Sequence, residues 1–178
     1  ATFALGKWHL NGHPKDRGFD RFFGHLSGAS AFFPPLDQSF QYGRHTFQPK
    51  DPNYYVTDGI TNRAIEFITD LKTKKPDKPY FMYLAYNAPH NPLQAPKEDI
   101  DKYQGKYMAG WEHFRKQRFA RMQELGIIGL EAKLSAKPNN IPDWDSLSPK
   151  QKELEDLRMA TYAAMIDRLD QNLARLFR

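Results

Sequence analysis

Three side chains in this sequence could together hold an anion and move a proton: Lys7, His9 and His90. Lys7 and His9 flank Trp8 in Gly6-Lys-Trp-His-Leu10, at the end of the strand-like run 2–8. In an extended chain residues two apart point to the same side. A lysine would then lie beside an imidazole able to move a proton, an anion cradle with a proton carrier attached. His90 follows the apolar run Tyr80-Phe-Met-Tyr-Leu-Ala-Tyr86 and stands between Pro89 and Pro92. The prolines fix φ on either side of it and push Ala88 and Asn91 towards extended geometry, so the imidazole has little freedom to lose on meeting a ligand. Both motifs also read as ordinary surface residues and a rigid turn, and spacing alone does not separate these readings.

The elements around them decide whether the three meet. Residues 80–86 lack helical spacing and predict a strand buried on both faces, and 2–8 predict a short buried strand that breaks at Gly6. Between these strands, Ile60, Ala64, Phe67, Ile68 and Leu71 form one apolar face of a helix from residue 57 to about residue 74. Thr57 or Asp58 is placed to cap it, and lysines crowd its end. Strand, long connection, helix and strand make a βαβ unit, with a right-handed crossover and parallel strands. Parallel strands end on one edge, so Lys7, His9 and His90 are expected on a common rim, where ligands of open α/β sheets bind.

The connection 11–42 reads as loop, with Pro14, Gly18, Gly24, Gly28, Pro34 and Pro35 between phenylalanine anchors. So long a segment without structure of its own is usually functional, and it is expected to wall a pocket. Arg17 and Asp20 suggest a local ion pair. His13, His25 and His45 lack the spacing of a metal site and read as surface or loop-stabilising residues.

Further along, residues 110–126 predict a helix with Trp111, Phe114, Phe119, Met122 and Leu125 on one side. Arg115, Lys116, Arg118 and Arg121 form its solvated face, and Gly126 its C-cap. Trp144 is the expected anchor of the loop 139–148. Ser148-Pro149-Lys150-Gln151 then supplies an N-cap, a proline at the first helical position and a capping-box glutamine. The last helix is expected to bury Met159, Ala163, Ile166, Leu169, Leu173 and Leu176, leaving Asp167 and Asp170 as surface charges.

Composition narrows the function classes. A 178-residue chain with 40% hydrophobic and 14% aromatic residues can build a real core. No run approaches the roughly 18 to 20 apolar residues of a membrane helix, and no signal segment opens the chain, which begins without methionine and reads as an interior piece of something longer. With no cysteine it has no disulfide and no thiol nucleophile. A net charge of +5 suits an anionic partner. The charges alternate in sign, however, and no basic stripe interleaved with aromatics appears, which argues against a nucleic-acid surface.

Gly6-Lys-Trp-His-Leu10, Arg17-Gly-Phe-Asp20 with Phe23-Gly24, Tyr55-Val-Thr-Asp58 leading into Arg63-Ala-Ile-Glu-Phe-Ile68, and Leu84-Ala-Tyr-Asn-Ala-Pro-His-Asn-Pro92 resemble, in order and spacing, the type I arylsulfatases, and the bacterial branch most of all. The match runs on through Lys106-Tyr107, Gly110-Trp111, Arg115 to Arg118, and Met159 to Asp170. The resemblance implies an alkaline-phosphatase-like α/β/α sandwich with a mainly parallel sheet, of which residues 1–178 would be an interior part of one catalytic domain. It implies a sulfuric ester hydrolase that cleaves sulfate esters, among them carbohydrate sulfates, to alcohol or phenol and inorganic sulfate. It also implies a formylglycine nucleophile with a calcium ion beside it, and a periplasmic or exported location.

Carried over by position, Lys7 would bind a sulfate oxygen and the formylglycine. His9 would hydrogen-bond the formylglycine hydroxyls and help eliminate sulfate, and His90 would contact the sulfate or protonate the leaving alcohol. The family's nucleophile motif and paired metal aspartates would precede Ala1. Its Asp-Asn metal pair and second sulfate lysine would follow Arg178, so this chain would hold no metal ligand and be inactive alone. A phosphatase or phosphonate hydrolase of the same superfamily, or a non-catalytic truncated or degenerate homologue, remains an alternative.

Overall fold

The computed structural model describes residues 1–178. Its centre is β1 (Thr2–Lys7), whose Phe3, Ala4 and Leu5 are almost wholly buried. On one side β1 pairs in parallel with β5 (Phe81–Ala85), from Thr2↔Phe81 to Gly6↔Ala85. On the other it pairs in parallel with β2 (Arg21–His25), from Phe3↔Arg21 to Lys7↔His25. Antiparallel β3 (Phe40–Tyr42) and β4 (His45–Thr46) complete a five-stranded sheet in the order β4-β3-β2-β1-β5. The chain is α/β, and the parallel relation of β1 and β5 is the one the sequence predicts.

β2 and β3 correct the reading of 11–42 as loop. Five residues between Asp20 and Leu26 make a central strand, because Phe22 and Phe23 are enclosed between β1 and β3. The surrounding glycines and prolines hide so short a run from a periodicity reading. Arg17 and Asp20 do not pair. The Asp20 carboxylate accepts from the Thr2 backbone N–H at 2.9 Å, and Arg17 donates to the Asn11 carbonyl at 3.2 Å.

Helix α1 (Val56–Lys74) covers one face of the sheet with Val56, Ile60, Ala64 and Phe67, and the Phe67 ring lies 5.4 Å from that of Phe3. Neither Thr57 nor Asp58 caps it. The helix begins at Val56, whose N–H donates to the Phe32 carbonyl at 2.9 Å, so a tertiary contact replaces the side-chain cap. On the opposite sheet face Trp8 and Phe19 reach Tyr83 and His13 packs on Phe22, but Phe81 and Tyr83 of β5 stay exposed. For that reason β5 is not buried on both faces. It is an edge strand, with Met82 and Leu84 towards the core and Phe81 60% exposed.

After a short helix, α2 (Lys97–Asp101), the backbone amides of Gly105 and Tyr107 donate to the buried Asp156 carboxylate at 2.6 and 2.7 Å. Helix α3 (Trp111–Glu124) ends as its glycine predicts. Gly126 N–H donates to the Gln123 carbonyl and Ile127 N–H to that of Met122, both bonds of a Schellman motif around a glycine at φ 68°. No residue of α3 is fully buried; its apolar side is half covered.

Helix α4 (Pro149–Leu176) starts with the predicted Ser148–Gln151 capping box. Its buried stripe differs from the predicted one. Asp156, Ala160, Thr161, Ala164, Met165 and Asn172 are enclosed, whereas Met159 and Ile166 are exposed. Polar pairing rotates the helix. Arg168 grips the Asp58 carboxylate with two hydrogen bonds of 2.9 and 2.5 Å and reaches Asp99 at 3.4 Å, and Asn172 donates to Asp58 at 2.7 Å. Asp99, fully buried, also accepts from Gln171 at 3.1 Å and Lys102 at 2.6 Å. This network joins α1, α2 and α4. Asp167, expected as a surface charge, is half-buried and pairs with Lys102 at 3.0 Å.

Candidate active site

Two glycines shape the strand ends. A Cβ on Gly6 (φ 91°) would fall 1.9 Å from the Ala85 carbonyl oxygen, and one on Gly24 1.9 Å from that of Gly6. Only glycine lets β5, β1 and β2 approach so closely there. Each glycine is followed by a chemistry-bearing residue, Lys7 on β1 and His25 on β2, and these two are register partners.

Lys7 closes β1, and His9 and His90 follow the carboxyl ends of the parallel strands β1 and β5, so all three lie on one edge of the sheet. The extended geometry assumed between Lys7 and His9 fails at His9 itself, which takes a left-handed φ of 49° that a non-glycine residue rarely adopts. Its ring rests on Gly28, where an added Cβ would stand 2.9 Å from Cε1 and Nε2. The loop beneath it is braced. Ser27 N–H donates to Ser39 Oγ at 3.1 Å, and Ser39 N–H to the Asp37 carboxylate at 2.8 Å. The Ser39 hydroxyl bond holds the Asp37 carboxyl below the usual range.

His90 is exposed on the loop after β5. Its Nδ1 lies 2.7 Å from the Asn91 carbonyl oxygen. A carbonyl only accepts, so Nδ1 carries the proton and a neutral ring presents Nε2 as its lone pair. The loop is tied down on both sides. Asn87 Nδ2 donates to the Ser30 carbonyl at 3.0 Å, and the Gln94 side chain accepts from Phe32 N–H at 2.9 Å while its carbonyl accepts from the Tyr55 hydroxyl at 2.9 Å. The segment around Ser30 and Phe32 therefore braces the His90 loop, and as expected it also walls a pocket, of about 370 Å³, with Pro92.

His25 is the residue the sequence reading misplaces. It is fully buried at the end of β2. Its Nδ1 donates to the Ser27 carbonyl at 2.9 Å, leaving Nε2 an enclosed lone pair without a partner, as is Asn87 Oδ1. Burial pushes its pKa below the usual histidine range, and the Lys7 charge acts in the same sense. The parallel between Leu5-Gly6-Lys7 and Phe23-Gly24-His25 is the signal that could have found it. His13 does stabilise a loop, accepting from Lys15 N–H at 3.1 Å and donating to the Gly43 carbonyl at 3.0 Å.

Parallel strands at the centre of a mixed sheet, with Lys7, His9 and His90 at one edge and His25 buried beside them, define the class as α/β, in which ligands bind outside the strands' carboxyl ends. The sulfatase family profile matches residues 1–178, and the chain belongs to the sulfatase family. It is 32% identical over 189 residues to an arylsulfatase of Klebsiella aerogenes, covering 98% of this chain and 39% of that protein. Among solved structures it is similar to Ps i-CgsB, with 26% identity and a TM-score of 0.56, over 99% of this chain and 32% of that one. It shares its fold with yidJ of Bacteroides fragilis, with a TM-score of 0.59 at 17% identity, over 99% and 36% of the two chains. This chain thus spans about a third to two-fifths of the length of these relatives. Its α/β elements are part of the alkaline-phosphatase-like fold.

Proposed function

We propose that these residues form one wall of the active site of a sulfuric ester hydrolase, cleaving sulfate esters to alcohol or phenol and inorganic sulfate. The observation that carries the reading is the shared edge: Lys7 closes and His90 follows strands that run parallel and end side by side. In this reading the Lys7 ammonium binds a sulfate oxygen and offsets charge on it as the ester bond breaks. His9, seated on Gly28, would hold the nucleophile by a hydrogen bond and would take up its proton when the group is present. His90, oriented by its bond to Asn91, gives a proton from Nε2 to the departing oxygen, for which the ring must enter the reaction protonated on both nitrogens.

Sulfatases use a formylglycine nucleophile, toward which Lys7 and His9 would act, and a calcium ion, which these residues do not fit. Calcium takes roughly six to eight oxygen ligands, whereas this rim offers an ammonium and imidazoles, and no group of three or more His, Cys, Asp or Glu side chains here could hold a metal. In our reading residues 1–178 are an interior part of one catalytic domain, and the nucleophile and metal ligands lie in the parts of the domain that the relatives have beyond it. The substrate is an anionic sulfate ester, and a carbohydrate sulfate is favoured by Ps i-CgsB, solved in complex with k-i-k-neocarrahexaose. An exported location is favoured by the family, and no helix here is long and apolar enough to cross a membrane.

The test is the pH–rate profile of the full-length protein beside that of a His90→Gln variant, with an aryl sulfate of good leaving group and one of poor leaving group. Loss of about 100-fold or more on the poor leaving group and much less on the good one is expected, since only the poor one needs the proton. Equal loss on both would remove His90 from the acid role.

A further inference from the structure

Beside the His90 loop lies a cavity of about 470 Å³ between α3, α4 and the Trp144 turn. That is within the usual range for a small-molecule site, roughly 300 to 1,000 Å³. Trp111, Phe114, Trp144 and Tyr162 line it. Trp144 is held in place: its Nε1–H donates to the Met108 carbonyl at 3.0 Å, its ring covers Gly110, where a Cβ would be 2.4 Å from Cγ, and it meets Trp111 edge-on at 4.9 Å. Trp111 Nε1–H is enclosed and has no hydrogen-bond partner.

The charges of this cavity are unequal. Arg115, Arg118 and Arg158 line it against a single carboxylate, Glu155. Arg158 pairs with Glu155, and Arg115 donates to the Ser135 carbonyl at 2.6 Å. Arg118 has no partner in the chain. Arg115, half-buried, and Arg118, exposed on the solvated face that the sequence predicts, stand at the mouth of this cavity. Leu93 also lines the cavity, three residues from His90, and three residues of chain reach at most about 11 Å.

We propose that this cavity binds the ring-bearing part of the substrate when that part carries a second negative charge, the ring meeting the tryptophans and the charge meeting Arg118. The proposal rests on the sulfatase reading for the position of the ester and on the cavity alone for the second charge. A free guanidinium beside an apolar wall gives a strong, charge-assisted bond to a carboxylate or sulfate, and the wall takes the ring faces out of water.

The full-length protein and its Arg118→Gln variant are to be compared on phenyl sulfate, 4-carboxyphenyl sulfate, and singly and doubly sulfated forms of one disaccharide. Arg118 has no bond to lose, so the variant keeps its fold. The variant is expected to raise KM about tenfold for the doubly charged substrates and to leave phenyl sulfate within about twofold. The aryl and sugar pairs show which ring the wall accepts. Unchanged KM on the doubly charged members, or equal loss on phenyl sulfate, overturns the proposal. If the wild type turns over no sulfate ester, the sulfatase reading fails and the cavity is judged by tryptophan fluorescence. A response to 4-carboxyphenyl sulfate that weakens in Arg118→Gln upholds it, and a response independent of Arg118, or none because another part of the protein fills the cavity, overturns it.

Discussion

His25 couples the rim to stability. Its folded-state pKa is depressed by burial, so in acid the unfolded chain binds a proton that the folded chain resists. The neutral ring's contribution is full above the ordinary histidine range, near pH 6.5, and is lost as pH falls towards the depressed folded value. The urea midpoint of the full-length protein is therefore expected to fall from pH 7.5 to pH 5.5 by more in the wild type than in His25→Gln. Equal falls would mean that His25 is not held neutral by the fold. The places of Lys7 and His90 at the ends of parallel strands were legible because a polar residue closing an apolar strand stands out. His25 was not, since its strand is five residues long and its two phenylalanines read equally well as loop anchors.

At the scale of elements, the strand ends depend on two hydrogen atoms. Gly6→Ala places a methyl group 1.9 Å from the Ala85 carbonyl in a left-handed backbone, whereas Gly18→Ala, also at positive φ, meets nothing within 4 Å. Gly18→Ala is expected to cost about 1 kcal/mol and Gly6→Ala several times as much, read as urea midpoints of the full-length protein. Similar costs would deny the close approach of β1 and β5. The α4 network is the second such device. Arg168→Met strips a partner from the buried Asp99 and both bonds from Asp58, and is expected to cost roughly 3 kcal/mol. Helix α4 itself was legible from its capping box. Its buried face was not, because apolar spacing marked Met159 and Ile166, while the side chains that seat the helix are the polar Arg168 and Asn172 reaching residues 58 and 99 from far along the sequence.

The molecule as a whole carries apolar surface on the open side of its sheet, with Phe81 and Tyr83 exposed, and on α4 at Ile166. Exposed surface of this kind marks a face made to be covered. The parallel pairing of β1 with β5 was legible from the strand–helix–strand order. The insertion of β2 between β1 and β3 was not, since it depends on a contact between strands joined by a connection of only 13 residues. With neither nucleophile nor metal ligands in our reading, the 178-residue chain by itself is expected to turn over no aryl sulfate, with or without added calcium. Turnover by a pure preparation would contradict that assignment.

The central claim is that Lys7 and His90 form one wall of a sulfate-ester site. Its most direct measurement compares hydrolysis of an aryl sulfate and the matching aryl phosphate by the matured, calcium-loaded full-length protein and by its Lys7→Ala variant. The account predicts preference for the sulfate and a loss of about 100-fold or more in kcat/KM on removing the ammonium. Preference for the phosphate, or sulfate turnover indifferent to Lys7, would contradict it.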